Sequence, residues 1–226
     1  VDRIYIAFEE AFKYFPRSRT KLTGNPIRRA ILERAESSVA GGDGPKDKFK
    51  VLVFGGSQGA TAINAAFLDS AEYLTDVWNG LEVIHQSGEK GYEAVVTSYR
   101  RKKLKVEVHK FIEDMASAYS GADLVVCRAG ATSIAEITAF GLASVLVPYP
   151  FASDNHQEVN AESLQAAGAS VMIRQDNLTG KTLADVIRSF YEDAGRLKEY
   201  SARAAALGRP RAAMVIADDF TKLLGH

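Results

Sequence analysis

From Lys50 onward, short runs rich in β-branched residues alternate with longer stretches of helical periodicity, and no other feature constrains the fold as tightly. Such alternation is the mark of βαβ units, whose crossovers build a parallel sheet with helices against it. The sequence predicts strands at KVLVF (50–54), EVIH (82–85), KVEVH (105–109), DLVVC (123–127), SVLVP (144–148) and SVMIR (170–174). Between them Ile63, Phe67, Leu68, Ala71 and Leu74 share one helical face, as do Tyr92, Val95, Val96 and Tyr99, which is core spacing. Helices are expected over 181–190, 195–207 and 211–224, with Gly208 and Pro210 separating the last two. The fold class that follows is α/β: a six-stranded parallel sheet with helices on both faces.

Ahead of Lys50 the pattern is sparser. RIYIAF, the helical EEAFKYF, a turn at Pro16 and TKLTG read as a strand, helix and strand too short for a core of their own, and Ile27 to Glu36 reads as a helix. SSVAGGDGPKDKFK has no apolar period and reads as a loop or hinge. Three segments are therefore expected: 1–36, the remnant of a preceding domain with its connection; 37–49, a flexible loop; and 50–226, the principal domain. A chain that opens at Val1 in mid-pattern suggests a piece of something longer.

Composition narrows the class. With 46% apolar and 25% charged residues the chain is neither collagen-like, disordered nor a disulfide scaffold. Lys and Arg number 28, as do Asp and Glu, and a net charge of zero argues against capture of nucleic acid by a basic face. Any anion site must be local. The single cysteine, Cys127, cannot pair within the chain, which suits a reducing, cytoplasmic setting. No apolar run approaches the ~20 residues of a membrane-spanning helix, and no signal peptide is expected.

Ligands of open parallel sheets bind beyond the carboxyl ends of the strands, and three unusual segments stand there. The first is VFGGSQGA (53–60), a glycine-rich strand-to-helix turn in which main-chain N–H groups and the Ser57 hydroxyl can face a phosphate. Its G-G-x-x-G spacing is not G-x-G-x-x-G, and the following strand ends in His85-Gln86 without an acid for an adenine ribose, so a nicotinamide dinucleotide is disfavoured. Glycines that serve packing alone would give the same string. The second is CRAGATSIAEI (127–137), in which Gly130 to Ser133 can present N–H groups to a diphosphate and Glu136 can accept both hydroxyls of a ribose. Glu136 fits equally a capping box closed by Thr132 or Ser133. The third, PYPFASDNHQEVNAE (148–162), gathers Asp154, Asn155, His156, Gln157 and Asn160, groups suited to sugar hydroxyls or to a solvated loop, with Asp154 or Asn155 as a helix cap. Lys110, Arg128 and Arg174 add positive charge at strand ends, where each can also be an ordinary solvated side chain.

Other strings are excluded. TGKT (179–182) ends like a P-loop, but Gln175 stands where the first glycine belongs, so it reads as a helix cap. The four histidines lack metal-ligand spacing and there is no Asp-x-Asp. Neither metal nor cofactor is expected. Glycosyl transfer without a metal would rely on helix ends and cations to stabilise a departing diphosphate.

Taken together, these segments resemble the MurG family of bacterial cell-wall glycosyltransferases. The likeness rests on LTGNPIR (22–28), VFGGSQGA (53–60), FIEDMASAY (111–119), CRAGATSIAEI (127–137) and VPYPFASDNHQEVNA (147–161), in the family's order, and runs over essentially the whole chain. It implies a GT-B enzyme of two Rossmann-like domains that moves N-acetylglucosamine from UDP-GlcNAc to undecaprenyl-pyrophosphoryl-MurNAc-pentapeptide, converting lipid I to lipid II. This chain would be the Rossmann-like, donor-binding carboxyl-terminal half, inactive alone. By the same resemblance, Arg28 and Ser57 would contact the diphosphate region, with Gly56 and Gln58 in the same turn. Ile112 would hold uracil through its backbone, and Met115 would line that pocket. Ala131, Thr132, Ser133, Ile134, Ala135 and Glu136 would wrap the phosphates and ribose, and Gln157, with Asn160 near it, would meet the GlcNAc hydroxyls. His156 stands where the family often has an amide. The acceptor loop, the general base and the membrane-facing surface would belong to the absent half, so no catalytic residue is assigned. The implied partners are the UDP-GlcNAc donor and, through that half, lipid I and the cytoplasmic face of the inner membrane, with no nucleic acid. A nucleotide-sugar epimerase of the same fold and a non-catalytic sugar-nucleotide-binding module are the alternatives.

Overall fold

The computed structural model describes residues 1–40, 47–56, 59–152 and 155–225. Strands β1 (Ile4–Ile6) and β2 (Thr20–Leu22) pair in parallel as a small two-stranded sheet, and Glu9–Tyr14 between them forms a 3-10 turn. Helix α1 (Arg29–Ala40) follows. The remaining chain alternates as expected: β3 (Phe49–Phe54), α2 (Thr61–Ser70), β4 (Leu81–Gln86), α3 (Tyr92–Arg101), β5 (Glu107–His109), α4 (Met115–Gly121), β6 (Leu124–Cys127), α5 (Ala131–Phe140), β7 (Ala143–Leu146), α6 (His156–Ala166) and β8 (Ser170–Met172). Helices α7 (Gly180–Tyr191), α8 (Ala194–Leu207) and α9 (Ala212–Leu223) complete it.

All six expected strands form one parallel sheet in the order β5-β4-β3-β6-β7-β8. Its central strands are buried on both faces, which is why they read as continuous apolar runs and not as alternating ones. Val51, Val53, Val83 and Val126 meet Ile63, Phe67, Leu183 and Ile187 on one face. Leu52, Phe54, Val125 and Leu146 meet Ile31, Tyr119, Ile134 and Ile137 on the other. Full burial of each such side chain contributes about 1.5–3 kcal/mol, so the two layers of helices hold the sheet through their apolar faces.

The sequence reading ended the first helix at Glu36 and placed a loop from residue 37, but α1 continues to Ala40. Ser37 and Ser38 do not break it, because their hydroxyls donate back to the Arg34 carbonyl at 2.8 and 2.9 Å, and the Ser38 hydroxyl also meets that of Ser120 on α4 at 3.0 Å. Of the expected hinge, residues 41–46 lie outside the described residues. The small sheet is tied to the end of the chain by Asp219 on α9, which lies 2.9 Å from Arg3 Nε and 2.8 Å from Lys21 Nζ and accepts from the Tyr5 hydroxyl at 3.1 Å.

Candidate functional site

Strands β3 and β6 are neighbours, with Phe54 opposite Cys127, so the two glycine turns that follow them leave adjacent strand ends. Their helices diverge: α2 joins one core layer through Ile63 and Phe67, α5 the other through Ile134 and Ile137. This is the topological switch point at which open α/β sheets form a crevice. The first turn must contain glycine. A Cβ on Gly55 would stand 2.2 Å from the Ala60 nitrogen, and one on Gly59, whose φ is +74°, would stand 2.4 Å from the Ser87 carbonyl oxygen. Ser57 and Gln58 lie outside the described residues. Helix α2 then begins at Ala60 with no side-chain cap.

The second turn differs in one respect. Gly130 caps α5 with φ −69° and ψ 142°, values open to any residue, and a Cβ there would have only the Ser133 hydroxyl within 4 Å, at 3.9 Å. Neither backbone nor packing asks for glycine at this position. No side chain caps the helix, so the first N–H groups, on Ala131, Thr132 and Ser133, have no intrahelical partner and face outward. Ile134 is buried in the core layer beneath them.

Glu136 is 5% exposed and does not cap its own helix, which removes the capping-box alternative. Its carboxylate lies 3.3 Å from an Arg28 guanidinium nitrogen and accepts from the Tyr119 hydroxyl at 3.1 Å. Burial, reinforced by the Glu136 charge, pushes the Tyr119 phenol well above its ordinary range, so it remains a donor. Arg28 is more than half exposed. Thr132 accepts from Asn25 at 3.2 Å, joining the turn to the segment before α1.

Ile112 and Met115 are both buried at the start of α4, which Asp114 caps through the Ser117 nitrogen. The Ile112 N–H donates to Gln86 Oε1 at 2.8 Å, while Gln86 Nε2 donates to the Gly56 carbonyl at 3.0 Å. One amide at the end of β4 thus braces the first turn against the Ile112 loop.

Beyond β7, Gln157 accepts from the Tyr149 N–H at 3.0 Å through Oε1, which leaves its amide nitrogen as a donor. Asn160 is buried and donates to the Ala129 carbonyl at 3.1 Å, so its nitrogen supports the second turn. Asn155 occupies the α6 cap position without a side-chain bond; the other expected cap, Asp154, lies outside the described residues. Of the three strand-end cations, Lys110 pairs with Glu89 and Arg174 with Glu158 and Glu162. Arg128 instead donates to the Val147 and Pro148 carbonyls and to Gln175 and lies 5.3 Å from the Tyr149 ring centroid, so neutral groups hold it. Thr179 and Thr182 form the capping box expected of TGKT. A cavity of about 240 Å³ opens beside α5, between Phe8, Leu22, Asn25, Ala135 and Leu207, away from the first glycine turn.

Residues 50–216, which carry the whole large sheet and both turns, match the model of the glycosyltransferase family 28 C-terminal domain. The chain belongs to glycosyltransferase family 28. Among family 28 relatives, UDP-N-acetylglucosamine–N-acetylmuramyl-(pentapeptide) pyrophosphoryl-undecaprenol N-acetylglucosamine transferase of Syntrophus aciditrophicus is 46% identical over 218 residues, covering 96% of this chain and 59% of that protein. The transferase of the same name from Myxococcus xanthus is 46% identical over 216 residues, with 95% and 55% covered. The crystal structure of MurG from Acinetobacter baumannii superposes with a TM-score of 0.79 at 32% identity, covering 98% of this chain and 61% of that one. This family 28 chain therefore spans between 55% and 59% of the length of those two curated relatives.

Two contributors escaped the sequence reading. Gln86 stands at a strand end, where a site is expected, but the sequence gives no sign that its amide braces two loops. Tyr119 carries no signal in sequence, since it meets Glu136 only because α4 and α5 lie side by side.

Proposed function

We propose that this chain is the donor-binding carboxyl-terminal half of a glycosyltransferase that moves N-acetylglucosamine from UDP-GlcNAc to an undecaprenyl-pyrophosphoryl-linked N-acetylmuramyl-pentapeptide. The observation that carries the reading is the α5 N-terminus, where an uncapped helix end and a glycine that the fold does not need stand beside a buried carboxylate. The names of the relatives, at 46% identity, supply the substrates.

In this reading the α5 and α2 ends bind the diphosphate, with Gly56, Ser57 and Gln58 in the first turn and Arg28 and Arg128 adding charge. A helix dipole contributes roughly 0.3–1 kcal/mol and each hydrogen bond to a charged group roughly 1.5–3 kcal/mol, so a few suffice for a diphosphate. Glu136 accepts the ribose hydroxyls, the Ile112 main-chain carbonyl and Met115 hold uracil, the Ile112 N–H being given to Gln86, and the Gln157 amide nitrogen reaches the sugar. As the glycosidic bond to UDP breaks, the growing diphosphate charge falls on donors already in place, which is how such a site lowers the barrier. Residues 1–28 close the amino-terminal domain, α1 packs into the core layer of the large sheet, and the acceptor lipid and the cytoplasmic membrane surface are met by the portion outside this chain. Calorimetric titration with UDP-GlcNAc and with NAD tests the reading. Binding of the uridine sugar and not of the dinucleotide is expected; the reverse preference would overturn it.

A further inference from the structure

A buried polar chain runs beneath the first glycine turn. His85 on β4 is fully buried, its ring edge-on to Phe67 of α2 and to Tyr99 of α3, with centroids 5.6 and 5.9 Å away. Its Nδ1 lies 2.8 Å from the Tyr99 hydroxyl and its Nε2 3.1 Å from Asn64 Oδ1. Asn64 Nδ2 donates in turn to the Ser87 carbonyl at 2.9 Å.

These contacts permit one direction of donation. A carbonyl only accepts, so the Asn64 nitrogen faces Ser87 and the Asn64 oxygen faces His85; Nε2 must then carry the proton. In a neutral ring Nδ1 is the acceptor, and the Tyr99 hydroxyl donates to it. Burial holds the His85 pKa down at about 4, which keeps the ring neutral. The chain ends on the atom where two loops touch: the Ser87 carbonyl oxygen lies where the Cβ of Gly59 would stand, and 3.0 Å from where that of Gly91 would stand. The Ser87 N–H is anchored separately to the His109 carbonyl at 2.9 Å.

We propose that His85 is a positioning residue for the diphosphate-binding turn: as the Nε2–H tautomer it orients Asn64, whose amide sets the Ser87 carbonyl against Gly59 and so holds the turn at that glycine. This role rests on the reading of the turn as a UDP site. Long-range proton–nitrogen NMR of the unbound chain is expected to show the Nε2–H tautomer of His85. Asn64→Leu, which ends the chain at His85, is expected to weaken UDP binding about tenfold in calorimetry with the circular dichroism spectrum preserved. Tyr99→Phe keeps the ring and removes one donor; His85 is expected to keep its Nε2–H tautomer through Asn64 while its Nδ1 is left unpaired, and UDP to weaken about threefold, and this variant carries the test if Asn64→Leu does not fold. Phe190→Leu, a core change on α7, serves as the control for lost stability and is expected to leave UDP affinity unchanged. An Nδ1–H tautomer, or wild-type UDP affinity in a folded Asn64→Leu or Tyr99→Phe chain, overturns the proposal. Failure of the unaltered chain to bind UDP overturns the functional reading and this role with it, and is told apart because it needs no variant.

Discussion

At Gly130 the backbone is ordinary and the space beyond Cα is nearly empty, so Gly130→Ala separates fold from function. Stability is expected to hold or to rise by about 0.4–1 kcal/mol, since alanine restricts the unfolded chain at no native cost, while UDP affinity falls about tenfold as the methyl group occupies the phosphate's approach. Urea denaturation and calorimetry read the two effects, and unchanged affinity would remove the diphosphate from this helix end. Glu136→Gln addresses the ribose. The unaltered chain is expected to prefer UDP to 2′-deoxy-UDP, and the variant to lose most of that preference, because a carboxylate accepts from both hydroxyls of a diol and an amide from fewer. Its lost pairing with Arg28 matters little by itself, as that guanidinium is largely exposed. At His85 the native pKa of about 4 lies below the ordinary 6.5, so the unfolded chain takes up the proton first. Its stabilising contribution is complete above about pH 6.5 and is lost as pH falls towards 4, on the order of 3 kcal/mol in all. Urea midpoints at several pH values are expected to show this slope, and His85→Gln to flatten it.

The elements were largely legible in the sequence, because each central strand is an unbroken apolar run and each helix carries its own stripe. Where the reading slipped, local rules competed with packing. Two serines and the glycines after them suggested an end to α1, yet Ile31 and Ala35 bury its inner face and the helix extends through both serines. The acid three residues after Ser133 has the spacing of a capping box, but the helix begins earlier, at Gly130, and the carboxylate turns instead to Arg28 and Tyr119. TGKT shows the opposite outcome, since the cap there is made within a single turn and needs nothing distant. Thr179→Ala is expected to cost about 1 kcal/mol in urea denaturation through loss of that cap, and to leave UDP affinity unaltered, since α7 takes no part in the site.

Across the whole molecule, the small sheet of β1 and β2 is held to α9 through Asp219, whose carboxyl the neighbouring Lys21 and Tyr5 keep below its usual range. Asp219→Asn is expected to speed amide hydrogen exchange at Ile4 to Ile6 while leaving β3 and β6 protected; equal protection in the two proteins would show that the small sheet is held by other contacts. The amino-acid order alone determined the class of fold, the positions of all six large-sheet strands and the glycine turns, because each of these is written in hydrophobic period and conformational preference over a few neighbouring residues. Only the tertiary structure decided that β3 and β6 lie side by side, that Arg28 from the segment before α1 and Tyr119 of α4 converge on Glu136, and that His85 reaches Ser87 through Asn64. Those contacts join residues far apart in the chain, and it is the burial of both faces of the sheet that brings them within hydrogen-bonding distance.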